Sequence, residues 1–431
     1  MLFHSYGFIF LFLIPLLVLY RLAPSSSRMY LLTLASFVFY AQWDMLHLGL
    51  LFVSVVVNYA GARVLWSRFG SKVVLWSVVG FDVLVLGYFK YSGFLHLSDG
   101  SVVLPLAISF YTFQQIAYMV DIYGRRVRLG SFWEYLFFVM FFPQLIAGPI
   151  VHYNAMMGQV KRGVLEWFDM EKFQAGIVLF SMGMFSKVVL ADSLVRERYE
   201  SWADVFSYSL MIYFDFSGYA NMAIGLGLMF GVMLPLNFFS PYKARNIGEF
   251  WRRWHITLGA FLREHIYIPL GGSRSGYGVQ VFALLATMVV GGVWHGAGWN
   301  FLLWGVMHGV GLVVVHLSGV RLPKVLAIIL TFLYVTLLWV LFFSASVGEA
   351  LVLYERLFSF GAFELGMIEA AFLCFGLLMV WFLPNASEVL GMRDGGVKVK
   401  GWHGVLAGVL FFVSLKTLSD TPAATFVYFN F

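Results

Sequence analysis

A histidine inside a glycine-rich apolar stretch is the first candidate for chemistry in this chain. His295 lies in the run 278–316, within the local sequence MVVGGVWHGAGW. An ionisable side chain is costly inside a membrane segment, so such a residue is a functional candidate. Glycines at 291, 292, 296 and 298 weaken a helix here and predict a bend at which a ligand could approach the backbone. A structural histidine between closely packed helices is the alternative interpretation.

A neutral, buried imidazole has suitable properties for acyl transfer to a hydroxyl group. It can take the proton of an alcohol and return one to a departing thiolate, and burial favours its neutral, basic form. We expect no metal site, because His255, His265, His295 and His308 show no HxxxH or HExxH spacing and no carboxylate or cysteine set accompanies them. The sequence also lacks a nucleophile elbow, a Walker loop and a dinucleotide fingerprint.

The most polar part of the chain is a basic segment, residues 240–274, in which cations alternate with aromatic residues. Four of its cations are candidate binding residues for an anionic cosubstrate: Lys243, Arg245, Arg252 and Arg253. Guanidinium groups bind phosphates bidentately, so this segment would suit a donor such as a CoA thioester. An interfacial amphipathic helix near anionic lipid is a compatible interpretation. His255 lies in the same segment and is the second catalytic candidate; a packed or interfacial histidine is the alternative.

Composition places these residues in a membrane protein. The 431-residue chain is 61% hydrophobic and 12% charged, whereas about 25% of residues are charged in soluble domains. No polar stretch is long enough for a soluble domain, so we expect a single membrane domain over residues 1–431. The net charge of +6 is typical of loops that fix membrane orientation and does not indicate nucleic-acid binding. The single cysteine, Cys374, cannot form an intramolecular disulfide.

Apolar runs predict an all-α polytopic fold with roughly 10 to 13 membrane segments, some re-entrant or broken. The runs lie near residues 6–22, 29–43, 46–66, 72–90, 102–120, 132–150, 173–191, 204–231, 278–316, 323–343, 366–384 and 402–419. Basic loops in alternate positions predict an N-terminus outside and the basic segment in the cytoplasm, provided that one run after residue 130 does not cross. We expect Phe141–Ile150 to be that run, because two prolines and a glycine interrupt it.

Seven stretches together resemble one known family. They are GYFKYSGF (87–94), ISFYTFQ (108–114), FFPQLIAGPIV (141–151), IYFDFSGYANMAIGLGLMFG (212–231), LNFFSPYKARNIGEFWRRWHITL (236–258), YIPLGGSR (267–274) and GGVWHGAGWNFLLWG (291–305). The chain resembles the membrane-bound O-acyltransferases, in the bacterial branch that acetylates alginate. This resemblance implies a multi-helix fold with a central tunnel, with His295 as the catalytic histidine and His255 as a second active-site residue.

The resemblance also implies the reaction and its setting. The donor would be acetyl-CoA or another acyl thioester on the cytoplasmic side, and no cofactor would be permanently bound. The acceptor would be an envelope or exopolysaccharide such as alginate, cellulose or peptidoglycan, reached through an extracytoplasmic acetyltransferase partner. The chain would lie in the lipid of a bacterial inner membrane. Glu264–His265 and the shorter chain beyond residue 310 depart from the family pattern and leave the acceptor open.

Two other functions remain as alternatives. The chain could acylate a lipid or peptide hydroxyl, or it could be a proton-coupled transporter with His295 as a relay, although it shows no repeated halves. The C-terminal stretch TFVYFNF (425–431) resembles an aromatic motif in which a tyrosine carries the acyl group, which makes Tyr428 a third catalytic candidate. An interfacial aromatic belt is the other interpretation of that stretch.

Overall fold

A computed structural model describes residues 2–68, 70–97, 102–146, 148–320, 322–359, 366–392 and 396–420. All regular structure in these ranges is helical, which confirms the all-α prediction. The chain divides into two compact units, of which the first comprises residues 1–181, 219–235 and 397–407 and the second the remaining residues. The single membrane domain expected over residues 1–431 stays a prediction.

The first unit contains the N-terminal helices. In order they are a π-helical segment Gly7–Leu13, α1 (Ile14–Leu22), α2 (Ser25–Ala41), α3 (Met45–Ser67), α4 (Lys72–Tyr91), α5 (Ile108–Tyr123), α6 (Phe132–Met140), α7 (Phe142–Leu145) and α8 (Tyr153–Lys161). Residues of two further helices are divided between the units: α9 (Met170–Phe185), which continues as a π-helix over Ser186–Ala191, and α10 (Trp202–Met229).

The second unit contains most of the remaining helices. They are α11 (Ile247–Trp251), α12 (Ile256–Leu262), α13 (Tyr277–His295), α14 (Trp299–Ser318), α15 (Lys324–Phe343), α16 (Val347–Phe358), α17 (Met367–Phe382), α18 (Ala386–Val389) and α19 (Gly401–Asp420), the first turns of which belong to the first unit. The polar part of this unit also contains three short 3₁₀ or π-helical segments, Pro241–Lys243, Arg263–Tyr267 and Gly272–Arg274.

Helix length and hydrophobicity confirm a polytopic membrane protein. Seven helices within the described ranges are long and apolar enough to cross a bilayer: Met45–Ser67, Lys72–Tyr91, Met170–Leu194, Tyr277–His295, Trp299–Ser318, Lys324–Phe343 and Gly401–Asp420. Two apolar helices, Gly7–Leu22 and Met367–Phe382, are shorter. A helix rises about 1.5 Å per residue, so roughly 20 residues match a hydrocarbon core of about 30 Å.

The run expected not to cross is broken, as its prolines predicted. Helix α6 has nine residues and is capped at its start by Ser131 and Glu134, and α7 has only four residues. Neither is long enough to span the bilayer. The side chains from Phe137 to Phe142 are fully buried, so protein covers the break, as irregular backbone at membrane depth requires.

The glycine-rich run around His295 is also interrupted, and it forms a helical hairpin. Helix α13 ends at His295, the chain is extended at Gly296 and Gly298, and α14 begins at Trp299. A Cβ atom on Gly292 would lie 2.4 Å from the Phe301 carbonyl oxygen, and one on Gly305 would lie 2.4 Å from the Met288 carbonyl oxygen. The glycines at 292 and 305 therefore allow close helix packing, while those at 296 and 298 form the turn that follows the histidine.

Candidate active site

His295 lies in an aromatic cage at the turn of the α13–α14 hairpin. Its side chain is buried, with 2% of the residue exposed. The imidazole centroid lies 4.8 Å from the Trp294 ring, 5.0 Å from Trp304 and 5.2 Å from Phe342. Such a surrounding of aromatic rings excludes water from the imidazole.

An asparagine fixes this cage to the end of α15. The Asn300 side-chain Nδ2 donates to the carbonyl oxygens of Leu341, at 3.2 Å, and Ser344, at 2.9 Å. These two bonds tie the first turn of α14 to the last residues of α15, where Phe342 lies. The cage around His295 is thereby held by hydrogen bonds as well as by ring packing, and a positioned catalytic group needs such support.

His255 belongs to the same cluster, as both histidines contact one indole. The His255 ring centroid lies 6.1 Å from Trp294 and 4.8 Å from Phe216, and the residue is fully buried. We call His255, Trp294, His295 and Trp304 the histidine–tryptophan cluster. The two histidines that the sequence analysis selected are thus brought together, although 40 positions separate them in the chain.

The backbone at His255 is unusual and is held by Asn237. His255 has φ +43° and caps the start of α12, a left-handed conformation that is uncommon for residues other than glycine. The backbone N–H of Ile256 donates to the carbonyl oxygen of Asn237 at 3.0 Å. The side-chain Oδ1 of Asn237 accepts from the backbone N–H and the hydroxyl of Thr257, at 3.3 and 3.0 Å.

The same Asn237 oxygen determines which nitrogen of His255 carries the proton. A backbone N–H can only donate, so the amide atom that faces the Thr257 N–H is oxygen. His255 Nδ1 lies 3.1 Å from that oxygen and must therefore be the protonated nitrogen. Nε2 is left as the basic nitrogen of a neutral imidazole. Burial also holds the pKa of His255 well below its usual range, which keeps the ring in this neutral form.

Two buried donors stand in the same neighbourhood. The Asn237 side-chain Nδ2 and the Trp304 Nε1 have no hydrogen-bond acceptor among the described residues. Buried N–H groups of this kind are suitable partners for an oxygen that gains negative charge during acyl transfer. Neither residue was a candidate in the sequence, because asparagine and tryptophan carry no motif that marks such a role.

The four predicted binding cations do not share one environment. Arg245 and Arg253 both pair with Glu249, at 3.2 and 2.7 Å. Partial burial raises the pKa of the Glu249 carboxyl, but hydrogen bonds from the Arg245 backbone and from both guanidinium groups hold it below its usual range. Two of the cations are therefore partly neutralised. The i, i+4 spacing of these three residues is a signal that could have predicted the pairing.

The other two cations differ from this pair. Arg252 is exposed, and no carboxylate among the described residues lies within ion-pairing distance of it. Lys243 donates from Nζ to the Leu383 carbonyl oxygen at 2.7 Å and lines a groove with Lys324.

Tyr428, the predicted acyl carrier, lies outside the described residues. Within the described ranges, no group of three or more histidine, cysteine, aspartate or glutamate side chains could hold a metal ion.

Comparisons with known proteins place this chain among acyltransferases. The family model described as MBOAT, membrane-bound O-acyltransferase family, matches residues 124–198 and 199–342, a region that contains both histidines. A Helicobacter pylori protein named "Peptidoglycan O-acetyltransferase" is 39% identical, over 81% of this chain and 78% of that protein.

Further relatives carry related names. A Pseudomonas putida protein named "Probable alginate O-acetylase AlgI" is 34% identical over the full length of both chains. A Bacillus subtilis protein named "Teichoic acid D-alanyltransferase" is 23% identical over 56% of this chain and 69% of its own length. The names differ in the acceptor and agree in the transfer of an acyl group.

Proposed function

Because the chain belongs to the membrane-bound O-acyltransferase family, we propose that it passes an acetyl group from a cytoplasmic thioester to the hydroxyl groups of an envelope or exopolysaccharide. The acyltransferase activity itself follows from the family. The observation that carries the proposal is the pair of buried histidines on one indole, with Asn237 fixing the tautomer of His255. Relatives named for alginate and for peptidoglycan both support a glycan acceptor.

The chemistry divides between the two histidines. His295 takes the proton of the attacking hydroxyl, whose oxygen then bonds to the thioester carbonyl carbon. The carbon–sulfur bond breaks as the intermediate collapses, and the imidazolium returns the proton to the leaving thiolate. His255, through its basic Nε2, positions the reacting groups. The buried N–H groups of Asn237 and Trp304, which have no acceptor among the described residues, donate to the oxyanion and stabilise it.

The donor is acetyl-CoA or a related acyl thioester, and the basic segment binds its phosphates. Arg252 is the strongest candidate contact, because it is exposed and none of the described carboxylates pairs with it. Arg245 and Arg253 contribute less, since Glu249 already accepts from both.

The chain acts in a bacterial inner membrane, surrounded by lipid and next to an extracytoplasmic acetyltransferase that completes transfer to the polymer. A tunnel through the fold and a carrier role for Tyr428 stay predictions from the family resemblance.

Inverted membrane vesicles provide the test. Acetyl-CoA labelled in its acetyl group is added to the exposed cytoplasmic face, and labelled O-acetyl groups are measured on glycan in the lumen. We expect His295→Ala to lower the initial rate by about 10²- to 10⁴-fold, the usual contribution of a general base. His316→Ala, at an exposed histidine of α14, is the matched control and should keep the wild-type rate. Near-normal transfer by His295→Ala at equal abundance would remove the proposal.

A further inference from the structure

A groove of about 750 Å³ lies in the second unit, outside the histidine–tryptophan cluster. We call it the lysine groove. Its walls include Lys324, Ile328 and Phe332 of α15 and Leu377 and Trp381 of α17. The α15 residues follow one another at intervals of four, so they form one face of the helix over its first turns. Both helices are apolar segments of the membrane domain, and the lining is almost entirely hydrocarbon and aromatic.

Two positive charges stand at one end of the lysine groove. Lys324 is the first residue of α15, where the helix dipole adds to its charge. Lys243 donates to the carbonyl oxygen of Leu383, the residue that follows α17, at 2.7 Å. The ammonium groups therefore lie where α15 begins and α17 ends, and the apolar walls extend away from them along both helices.

A buried donor points to an ester-containing ligand. The Nε1 atom of Trp381 is buried and has no acceptor among the described residues, while its ring packs against Phe332 at 5.3 Å. Tryptophan commonly lies at the level of lipid headgroups, with its ring in the apolar region and its N–H directed at polar atoms. The carbonyl oxygen of an acyl ester, one glycerol away from a phosphate, has the polarity that this N–H requires.

We propose that the lysine groove binds an anionic phospholipid. One acyl chain lies against the faces of α15 and α17, an ester carbonyl accepts from Trp381, and the phosphate lies between Lys243 and Lys324. A CoA molecule fits these features less well, because its adenosine and pantetheine portions are polar and the walls are not. Ile329 and Phe382, which also line the groove, are 42% and 72% exposed, so the groove is open on the side from which a lipid would enter. Lys243 is thereby assigned to a lipid and not to the acyl donor.

Native mass spectrometry of the detergent-purified chain tests this assignment. The protein is titrated with phosphatidylglycerol or with phosphatidylcholine of identical acyl chains, and the bound fractions are compared. We expect the wild type to prefer phosphatidylglycerol by about tenfold or more, since each lysine near a lipid surface attracts an anionic headgroup. The double variant Lys243→Gln/Lys324→Gln should lose that preference. The control Lys161→Gln/Lys416→Gln removes the same charge at exposed sites elsewhere and should keep it.

Two further arms separate a specific groove from a basic surface and from the donor site. Ile328→Trp fills the groove and leaves both lysines in place, so it should lower the binding of both lipids. Acetyl-CoA added in excess should leave the bound phosphatidylglycerol unchanged. An unaltered lipid preference in the lysine double variant would overturn the proposal. Displacement of the lipid by acetyl-CoA would also overturn it and would return Lys243 to the donor site.

Discussion

Two buried asparagines, one in each unit, show how similar side chains serve different purposes. Asn58 on α3 donates from Nδ2 to Asp82 Oδ1 at 2.7 Å and to the Ser54 carbonyl oxygen at 3.1 Å. Asn237 instead uses its Oδ1 to accept from His255 and Thr257. Both residues are almost completely inaccessible, with 0% and 1% exposed. Burial and residue type therefore do not distinguish them, whereas the partner does.

The surroundings of Asn58 form a hydrogen-bonding network between helices. Gln115 Nε2 donates to the Ser54 hydroxyl at 2.9 Å, and the Tyr135 hydroxyl donates to Gln115 Oε1 at 3.0 Å. These residues belong to α3, α5 and α6, so the network joins helices by hydrogen bonds that hydrocarbon could not provide. Asn237, by contrast, directs an imidazole whose second nitrogen remains basic.

Among substitutions that leave both histidines in place, replacing Asn237 by leucine should have the largest effect. The variant Asn237→Leu loses the acceptor that fixes the His255 tautomer, so a fraction of molecules presents N–H where the reaction needs a basic nitrogen. We expect kcat to fall by about 100-fold, at the lower end of general acid–base contributions. Steady-state assays of the purified protein measure it. A kcat within threefold of the wild type would show that the tautomer has no role.

Replacing Asn237 by aspartate should change the pH dependence. Asn237→Asp keeps the acceptor oxygen and adds a negative charge beside Nδ1, which raises the pKa of His255. In the wild type, burial keeps this pKa low, so His255 stays neutral as the medium becomes acidic. In the variant, Nε2 becomes protonated as pH falls through the raised pKa, and activity is lost there while it persists at higher pH. Profiles of kcat/KM between roughly pH 5 and pH 9 compare the two; identical acid limbs would contradict this account.

The matched substitution in the first unit should affect stability and not catalysis. Asn58→Leu leaves the buried carboxyl of Asp82 without its donor, which costs about 1–3 kcal/mol of stability. We expect a lower melting temperature in detergent and a kcat per folded molecule within twofold of the wild type. If Asn58→Leu instead lowers kcat as strongly as Asn237→Leu, the distinction between the two asparagines fails.

The cations of the basic segment should show the smallest effects. Arg252→Ala should raise the KM for acetyl-CoA by about fivefold at unchanged kcat, because an exposed charged contact contributes roughly 1 kcal/mol to donor and transition state alike. Arg253→Ala should raise it less, since Glu249 already accepts from that guanidinium at 2.7 Å. A fall in kcat at constant KM for Arg252→Ala would exclude a role confined to binding.

The features that the sequence predicted correctly are those that depend on local composition. Glycine and proline marked the breaks at 141–150 and at 296–298, and the apolar runs marked the helices, because each signal acts within a turn or two of its own position. His255 and His295 were recognisable as ionisable residues in apolar surroundings. Their shared contact with Trp294 was not, because it depends on how α12 and the α13–α14 hairpin pack.

Asn237 was missed for a related reason. It lies 18 positions before His255 and reaches it only because the chain turns through a left-handed residue at His255 itself. No periodicity or charge pattern encodes that turn. The division of the cations was partly accessible, since the spacing of Arg245, Glu249 and Arg253 predicts ion pairs. Lys243 and Lys324 are 81 positions apart in the chain and line one groove only because of the fold. The sequence alone could not predict that they share it.

A double-mutant cycle on the two histidines tests the central claim most directly. The kcat/KM for acetyl-CoA is measured for the wild type, His255→Ala, His295→Ala and the combination, with each protein checked for folding by size-exclusion chromatography. Residues that act as one catalytic unit are strongly non-additive. We therefore predict that the kcat/KM of the double variant is at most about threefold lower than that of the slower single variant. Losses that multiply would contradict a single histidine–tryptophan cluster and would place the two histidines at independent sites.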